Sequence, residues 1–203
     1  MKIALIGASG FIGQAILAEA ATRQHEVTAI ARHPQKIPSH EGVRPLAADV
    51  SQRSALQAAV ADQDLVILSI KYAGIQTQPL LRALKETGVP RLLAVGGAGS
   101  LINPTGVQVV DCADFPIEWK AEAVAARDFL LLLQQEKELE WSYLSPSAII
   151  EDGKRTGRFR LGRDQLLIDE RGDSRISIQD YAIALLDEAE RPAHRRQRFT
   201  VGY

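Results

Sequence analysis

Gly7, Gly10 and Gly13 stand where an apolar run gives way to a helical pattern, and that placement can do chemistry. Residues 2–6, Lys-Ile-Ala-Leu-Ile, read as a buried strand, after which Ile12, Ile16 and Ala20 recur at helical spacing. A strand that turns sharply into a helix presents unpaired N–H groups and the positive end of the helix dipole, and together these attract an anion. Gly7 permits the turn, Gly10 lets a pyrophosphate approach the backbone, and Gly13 lets the helix pack close to the sheet. Ser9, Phe11 and Ile12 fill the intervening positions and join the glycines as candidate contacts. The implied ligand is a dinucleotide. A glycine turn that only joins strand to helix is the bland alternative, and the periodicity on both sides argues against it.

In an open α/β sheet a ligand lies beyond the carboxyl ends of the strands, so the residues after each strand come next. About 20 residues past the glycines, an NAD site wants an acid for the ribose 2′-hydroxyl. Here the residues are Ala31-Arg32-His33. The planar donor fork of Arg32 suits a phosphate, which favours NADP(H) over NAD(H); a surface arginine capping the turn is the alternative. Asp49 and Val50 fall where an adenine would rest, although Asp49 could simply start a helix. Ser69, Ile70 and Lys71 would pass the ribose and pyrophosphate, with Lys71 either touching phosphate or solvated. Gly96 and Gly97 would let the chain pass the nicotinamide ribose, and Pro146 and Ser147 could offer backbone groups to the carboxamide.

Alternating strands and helices must hold these segments on one rim. Strand patterns run over Glu26–Ala31, Val43–Ala47, Asp64–Ile70, Arg91–Val95, Trp141–Leu144 and Arg198–Val201. Helix patterns include one capped by Ser51 that carries Leu56, Ala59 and Val60, and another around Pro79–Glu86 that ends at Gly88. A long helix is expected over Ile117–Lys137, and Ser177-x-x-Asp180 should open a last one that runs to about Glu188. Arg158–Leu161 and Gln165–Ile168 read as a hairpin turning at Gly162. The expectation is a single Rossmann-like, doubly wound parallel α/β domain over residues 1–203, with a small substrate-side subregion from about 147 to 203.

Composition narrows the field. A chain of 203 residues with formal net charge −1 gives no electrostatic reason to expect nucleic acid or a membrane surface as partner. The local cluster Arg195-Arg196-x-Arg198 reads as a solvated strand entrance. One cysteine, Cys112, excludes an intramolecular disulfide and a cysteine zinc site, and His25, His33, His40 and His194 lack metal-ligand spacing, so no metal is expected. The first strand begins at the second residue and no apolar run approaches the ~20 residues of a membrane span, so a cytoplasmic protein without a signal peptide is expected. The Leu130–Leu133 run suits a core or a dimer contact, which leaves monomer and homodimer open.

Alcohol–ketone chemistry in short-chain dehydrogenases uses a Tyr-x-x-x-Lys pair on the long helix. Here Pro116 stands four residues before Lys120, and Tyr72 and Tyr143 lie on other segments. The chain nevertheless resembles an atypical group of short-chain dehydrogenases/reductases, the NADH-flavin reductase-like or NAD(P)H-binding proteins. These are related to flavin reductase/biliverdin-IXβ reductase and more distantly to NmrA-like proteins. Gly7-Ala-Ser-Gly-Phe-Ile-Gly13, Val95-Gly-Gly-Ala-Gly-Ser-Leu101, Trp141-Ser-Tyr-Leu-Ser-Pro146, Arg155-Thr-Gly157, Ser174-Arg-Ile-Ser177 with Asp180-Tyr181-Ala182, and Arg198-Phe-Thr-Val-Gly202 carry the resemblance, which spans nearly the whole chain. It implies hydride delivery from NADPH to a flavin, quinone or other small planar acceptor, with flavin as substrate rather than tightly bound cofactor. It also leaves open a non-catalytic NADP(H) sensor of the NmrA-like kind, or an epimerase or ketoreductase, against which the missing tyrosine counts. Ser100 is then the candidate catalytic residue near the transferred hydride, or else a loop cap. Arg155, Arg158 and Arg160 could meet an acidic acceptor or form a solvated edge.

Overall fold

In a computed structural model that describes residues 1–203, strand β1 (Lys2–Ile6) turns at Gly7 into helix α1 (Phe11–Thr22). The chain continues through β2 (Glu26–Ala31), β3 (Val43–Ala47), α2 (Arg53–Val60), β4 (Leu65–Leu68), α3 (Thr77–Glu86) and β5 (Arg91–Val95). Then follow α4 (Ile117–Gln135), β6 (Glu140–Ser145), β7 (Ile149–Glu151), β8 (Arg160–Gly162), β9 (Arg175–Ser177), α5 (Ile178–Glu190) and β10 (Gln197–Gly202). The main sheet runs β3-β2-β1-β4-β5-β6-β10-β8, and β7 pairs with β9 in a small separate ladder. Every pairing in the main sheet is parallel except β8 against β10.

Alternation along the strands sends side chains to two cores. Ile3 and Leu5 pack with α1 and α5, while Ala4 and Ile6 pack with α2, α3 and α4. The two cores hold 24 and 23 buried residues, so both sheet faces are covered, as a parallel sheet requires. Pro45, which has no N–H for a ladder, lies on the edge strand β3. Strand order reverses between β1 and β4, and the crevice at this switch point opens beside Gly7. No helix is long and apolar enough to cross a membrane.

The structure corrects the sequence reading in several places. Ser51 does not cap α2; its N–H and hydroxyl both donate to Asp49 Oδ1, at 2.9 and 2.8 Å, and the helix starts behind Gln52 without a side-chain cap. The Asp49 turn engages the Ser51 hydroxyl as a donor and so draws it away from the helix N–H groups it would cap. Residues 158–168 form no hairpin. Instead Arg160–Gly162 lies antiparallel along β10, with Gly162 opposite Thr200, because the exposed edge of β10 offers a row of unpaired backbone groups. Gln165 makes only an isolated bridge to Ile102. Nor is Arg198 solvated: its side chain is 7% exposed and bonded to Asp164 and Ser100. Smaller differences are a four-residue β4, an α3 that begins at Thr77, and an α4 that stops at Gln135.

Three buried carboxylates tie distant segments together. Glu188 on α5 accepts from Arg91, Ser142 and the Ala193 and His194 N–H groups. Glu19 on α1 accepts from Arg23 and, bidentately, from Arg155. Asp180 accepts from the Thr156 and Gly157 N–H groups and from the Thr156 and Tyr203 hydroxyls. Burial pushes each carboxyl up, but the hydrogen bonds outweigh it, and all three lie below their ordinary values of 4.5, 4.5 and 3.8. Lowered values mean that the folded state holds these protons less tightly than the unfolded chain. The stability involved is therefore complete above about pH 5 and is lost as pH falls through the 4.5–3.8 range and below. Thermal melts from pH 7 to pH 3 should show a melting temperature that drops below pH 4.5; a melting temperature that rises on acidification would refute this.

Candidate functional site

At the rim of the crevice, Gly7 adopts φ +86°, and a Cβ there would lie 1.9 Å from the Ser69 carbonyl oxygen. Only glycine allows β1 and the end of β4 to approach so closely. A Cβ on Gly13 would lie 2.1 Å from the Gly7 carbonyl oxygen, so this glycine seats α1 against the turn. Gly10 differs from both. It has ordinary extended backbone, φ −78° and ψ 168°, and a Cβ there would meet only the Gly7 carbonyl, at 3.3 Å. The space above Gly10 is thus an open cradle rather than packed protein. The first intrahelical bond runs from Gln14 N–H to the Gly10 carbonyl, which leaves the Phe11, Ile12 and Gly13 N–H groups without helical partners. Ser9 is half-buried, its carbonyl held by the Gln14 side chain, and Phe11 stands 56% exposed.

Arg32 leaves the end of β2 exposed and makes no ion pair or hydrogen bond. The salt bridges of the chain engage other cations, so this guanidinium fork remains free for a ligand. Asp49 and Val50 follow β3. The Ser51 N–H and hydroxyl, with a smaller pull from the Arg32 charge, hold the Asp49 carboxyl below its usual value. A groove of about 470 Å³ lined by Val50, Ser51, Gly74 and Ile75 adjoins this stretch. Ser69 and Ile70 are half-buried beside Gly7, and Lys71 is exposed without a partner. A larger groove of about 650 Å³ lies between the C-terminal halves of α3 and α4, lined by Lys85, Glu136 and Glu138 among others, away from the strands' carboxyl ends.

On the other half of the rim, Gly96 is required by the protein itself. A Cβ there would penetrate the Tyr143 ring, 2.1 Å from Cε1. The Tyr143 hydroxyl accepts from Gly97 N–H at 3.2 Å and donates to the Ala126 carbonyl at 3.0 Å. Ser147 donates its hydroxyl to the Val201 carbonyl and lies buried with Pro146, which leaves backbone rather than side chain for any ligand. Ser100 is 4% exposed and its Oγ lies 3.2 Å from Arg198 Nη1.

Every tyrosine is spent on structure. The Tyr72 hydroxyl donates to the Val95 carbonyl and that of Tyr181 to the Leu144 carbonyl, while Tyr203 bridges Ser177 and Asp180. Burial pushes the Tyr72, Tyr143 and Tyr181 hydroxyls up, so none is set to give a proton. Lys120 donates to the Val110 carbonyl and pins the loop before α4. No group of three or more His, Cys, Asp or Glu is placed to hold a metal ion.

Sequence reasoning missed three supports of the site. Glu122 on α4 accepts from the Tyr72 and Ala73 N–H groups, at 2.8 and 2.9 Å, and so fixes the segment that carries Lys71. Asp180 and the Arg155–Glu19 pair lash residues 155–157 across α5 and α1. Arg160 is likewise held by the Ile168 and Tyr203 carbonyls, so Arg158 alone among these three arginines points out without a partner. The capping-box spacing marked Asp180, but nothing local announced its partners 23 and 24 residues upstream.

The chain matches the model of the NAD(P)H-binding family over residues 7–189. It is 40% identical to the Bacillus subtilis protein YwnB, with 99% of this chain and 98% of that one aligned. A Bacteroides thetaiotaomicron protein described as a candidate epimerase superposes with a TM-score of 0.95 at 41% identity, covering 100% of this chain and 96% of the other. A Streptococcus pneumoniae protein described as a candidate NADH-flavin reductase superposes with a TM-score of 0.85 at 34% identity, covering 100% and 99%.

Proposed function

This chain belongs to the NAD(P)H-binding family, and from that premise we propose that it is an NADPH-dependent reductase of a flavin, quinone or similar planar acceptor. The observation that carries the reading is the open cradle over Gly10 with an unpaired Arg32 on the same rim. The residues fit the ligand. Free N–H groups of Phe11, Ile12 and Gly13 receive the pyrophosphate, with Gly7 and Ser9 shaping the turn beneath it. Arg32 receives the 2′-phosphate through its donor fork. Asp49 and Val50 flank the adenine, and Ser69, Ile70 and Lys71 border the ribose and pyrophosphate. The turn at Gly96 and Gly97 borders the nicotinamide ribose, with the Gly96 gap already taken by the Tyr143 ring, and the backbone at Pro146 and Ser147 meets the carboxamide.

When bound, a reduced nicotinamide supplies a hydride. The residues of this chain would position it, and none of the tyrosines acts as an acid. A planar ring that spreads the incoming charge needs no strong protein acid, so proximity can supply most of the acceleration. The described epimerase relative does not shift this reading, because no tyrosine stands four residues before Lys120.

The test is steady-state NADPH oxidation with FMN, a quinone and a panel of ketones. Turnover is expected with FMN or the quinone; turnover with ketones alone would overturn the reading. Arg32→Ala should weaken NADPH about 10- to 100-fold, from the roughly 1.5–3 kcal/mol of a hydrogen bond to a charged group, while NADH changes little. Equal losses for the two cofactors in parallel titrations would remove the 2′-phosphate role.

A further inference from the structure

Arg198 lies opposite Tyr143 in the β6–β10 ladder. Phe199 and Val201 belong to the core with α1 and α5, so by alternation Arg198 and Thr200 face the α4 side, beneath the segment that carries Ser100. The Arg198 guanidinium, 7% exposed, grips Asp164 Oδ1 through Nε and Nη2 at 2.9 and 2.5 Å. Its remaining arm, Nη1, donates to Ser100 Oγ. An arginine can only donate, so the serine oxygen is the acceptor and its own hydrogen points elsewhere. That hydrogen meets no acceptor in the protein.

A buried hydroxyl with its hydrogen unspent is uncommon and calls for a partner. The backbone around Ser100 cannot shift easily to find one, because Leu101 N–H bonds back to the Ala98 carbonyl and Gly99 packs on Ala123 and Val110. A second buried serine, Ser145 at the carboxyl end of β6, has an Oγ with no hydrogen-bond partner. Two unspent hydroxyls therefore lie near the carboxyl ends of the neighbouring strands β5 and β6: Ser145 closes β6, and Ser100 ends the turn Ala98–Ser100 that follows β5.

We propose that Arg198, held by Asp164, is a positioning residue that fixes Ser100 as a hydrogen-bond donor to the acceptor's anionic edge. The inference rests on the reductase reading above. Hydride transfer moves one hydrogen with two electrons to the acceptor, leaves the nicotinamide oxidised, and builds negative charge on the acceptor ring until water supplies a proton. Ser100 keeps its proton and meets that charge through a hydrogen bond strengthened by the cation behind it. Asp164 balances the guanidinium, so the site gains a directed donor without an uncompensated buried charge.

The test compares Ser100→Ala, Arg198→Gln, Arg198→Lys, Asp164→Ala and the Ser100→Ala/Arg198→Gln pair with the unmutated protein. Asp164 is 60% exposed, so Asp164→Ala should fold even where a change at Arg198 does not. Ser100→Ala and Arg198→Gln should each lower kcat with FMN about 10- to 100-fold, and the pair no further, since both remove one donor. KM for FMN, the calorimetric affinity for NADPH and the equilibrium affinity for FMN in the presence of NADP⁺ should each stay within about 3-fold. Asp164→Ala should shift kcat in the same direction by less, and Arg198→Lys should restore part of the loss. An unchanged kcat in Arg198→Gln and Asp164→Ala, or losses that add in the pair, would overturn the inference alone. An unmutated protein that binds NADPH but oxidises it with neither FMN nor quinone would overturn the reductase reading, and this inference with it.

Discussion

Gly10→Val should yield a folded protein that binds neither NADPH nor NADH. Gly10 has backbone angles open to any residue, and the new Cβ would meet only the Gly7 carbonyl, at 3.3 Å. Valine is a poorer N-cap than glycine by roughly 1 kcal/mol, so the melt should move by only about 2–4 °C. The isopropyl group would instead fill the cradle through which a pyrophosphate reaches the free N–H groups of α1. Losing those charge-assisted bonds together should weaken both cofactors by more than about 100-fold. Gly7 and Gly13 make the contrast, because their Cβ atoms would collide with backbone at 1.9 and 2.1 Å and disturb the fold itself. Calorimetric titration beside a circular-dichroism melt separates the two effects. Retained affinity in a folded Gly10→Val protein would remove the pyrophosphate assignment.

Asp180→Ala should cost about 3 kcal/mol or more of stability, a shift of roughly 6–12 °C in melting temperature for a chain of this size. Asp180 is fully buried at the start of α5, and four donors from residues 156, 157 and 203 converge on its carboxylate. Alanine would strand the Thr156 and Gly157 N–H groups and leave the Tyr203 hydroxyl to Ser177 alone. The segment around residues 155–157 should then loosen and become the first site of limited proteolysis, with Arg155–Glu19 left as a side-chain anchor of that stretch. Asp180→Asn keeps the shape and one acceptor oxygen, and should lose about half as much. A melt of Asp180→Ala that coincides with that of the unmutated protein would show that the carboxylate does not hold this segment.

The first half of the fold was legible because local signals sufficed. Apolar runs of strand length alternate with helical periodicity, and the glycine spacing marks the turn at the switch point, so β1 to β6 fell close to their expected places. Pairings across long sequence distances were not legible. Residues 158–162 look like half of a local hairpin until the free edge of β10, some 40 residues on, is available to them. Arg198 looked solvated beside Arg195 and Arg196, yet strand alternation turns its side chain inward to Asp164 and Ser100. The glycine pair was legible as a close approach, but at Gly96 the approaching group is the Tyr143 ring, whose position depends on the β5–β6 register. In the candidate site, residue types marked Arg32 and the glycine loop. Glu122 and Asp164 escaped notice, and Asp180 was marked only as part of a capping box, because their partners lie on other elements.

The central claim is that the cradle at the β1–β4 switch point holds NADPH for delivery of hydride to a planar acceptor. The most direct measurement is titration calorimetry with NADPH and then NADH, followed by addition of FMN to the NADPH-saturated sample while the absorbance of the reduced nicotinamide is recorded. The account expects binding of NADPH, weaker binding of NADH, and loss of the absorbance once FMN is present. No heat of binding with either nucleotide would contradict it at its base, and tight NADPH binding with an absorbance that persists with FMN and with a quinone would contradict the reductase.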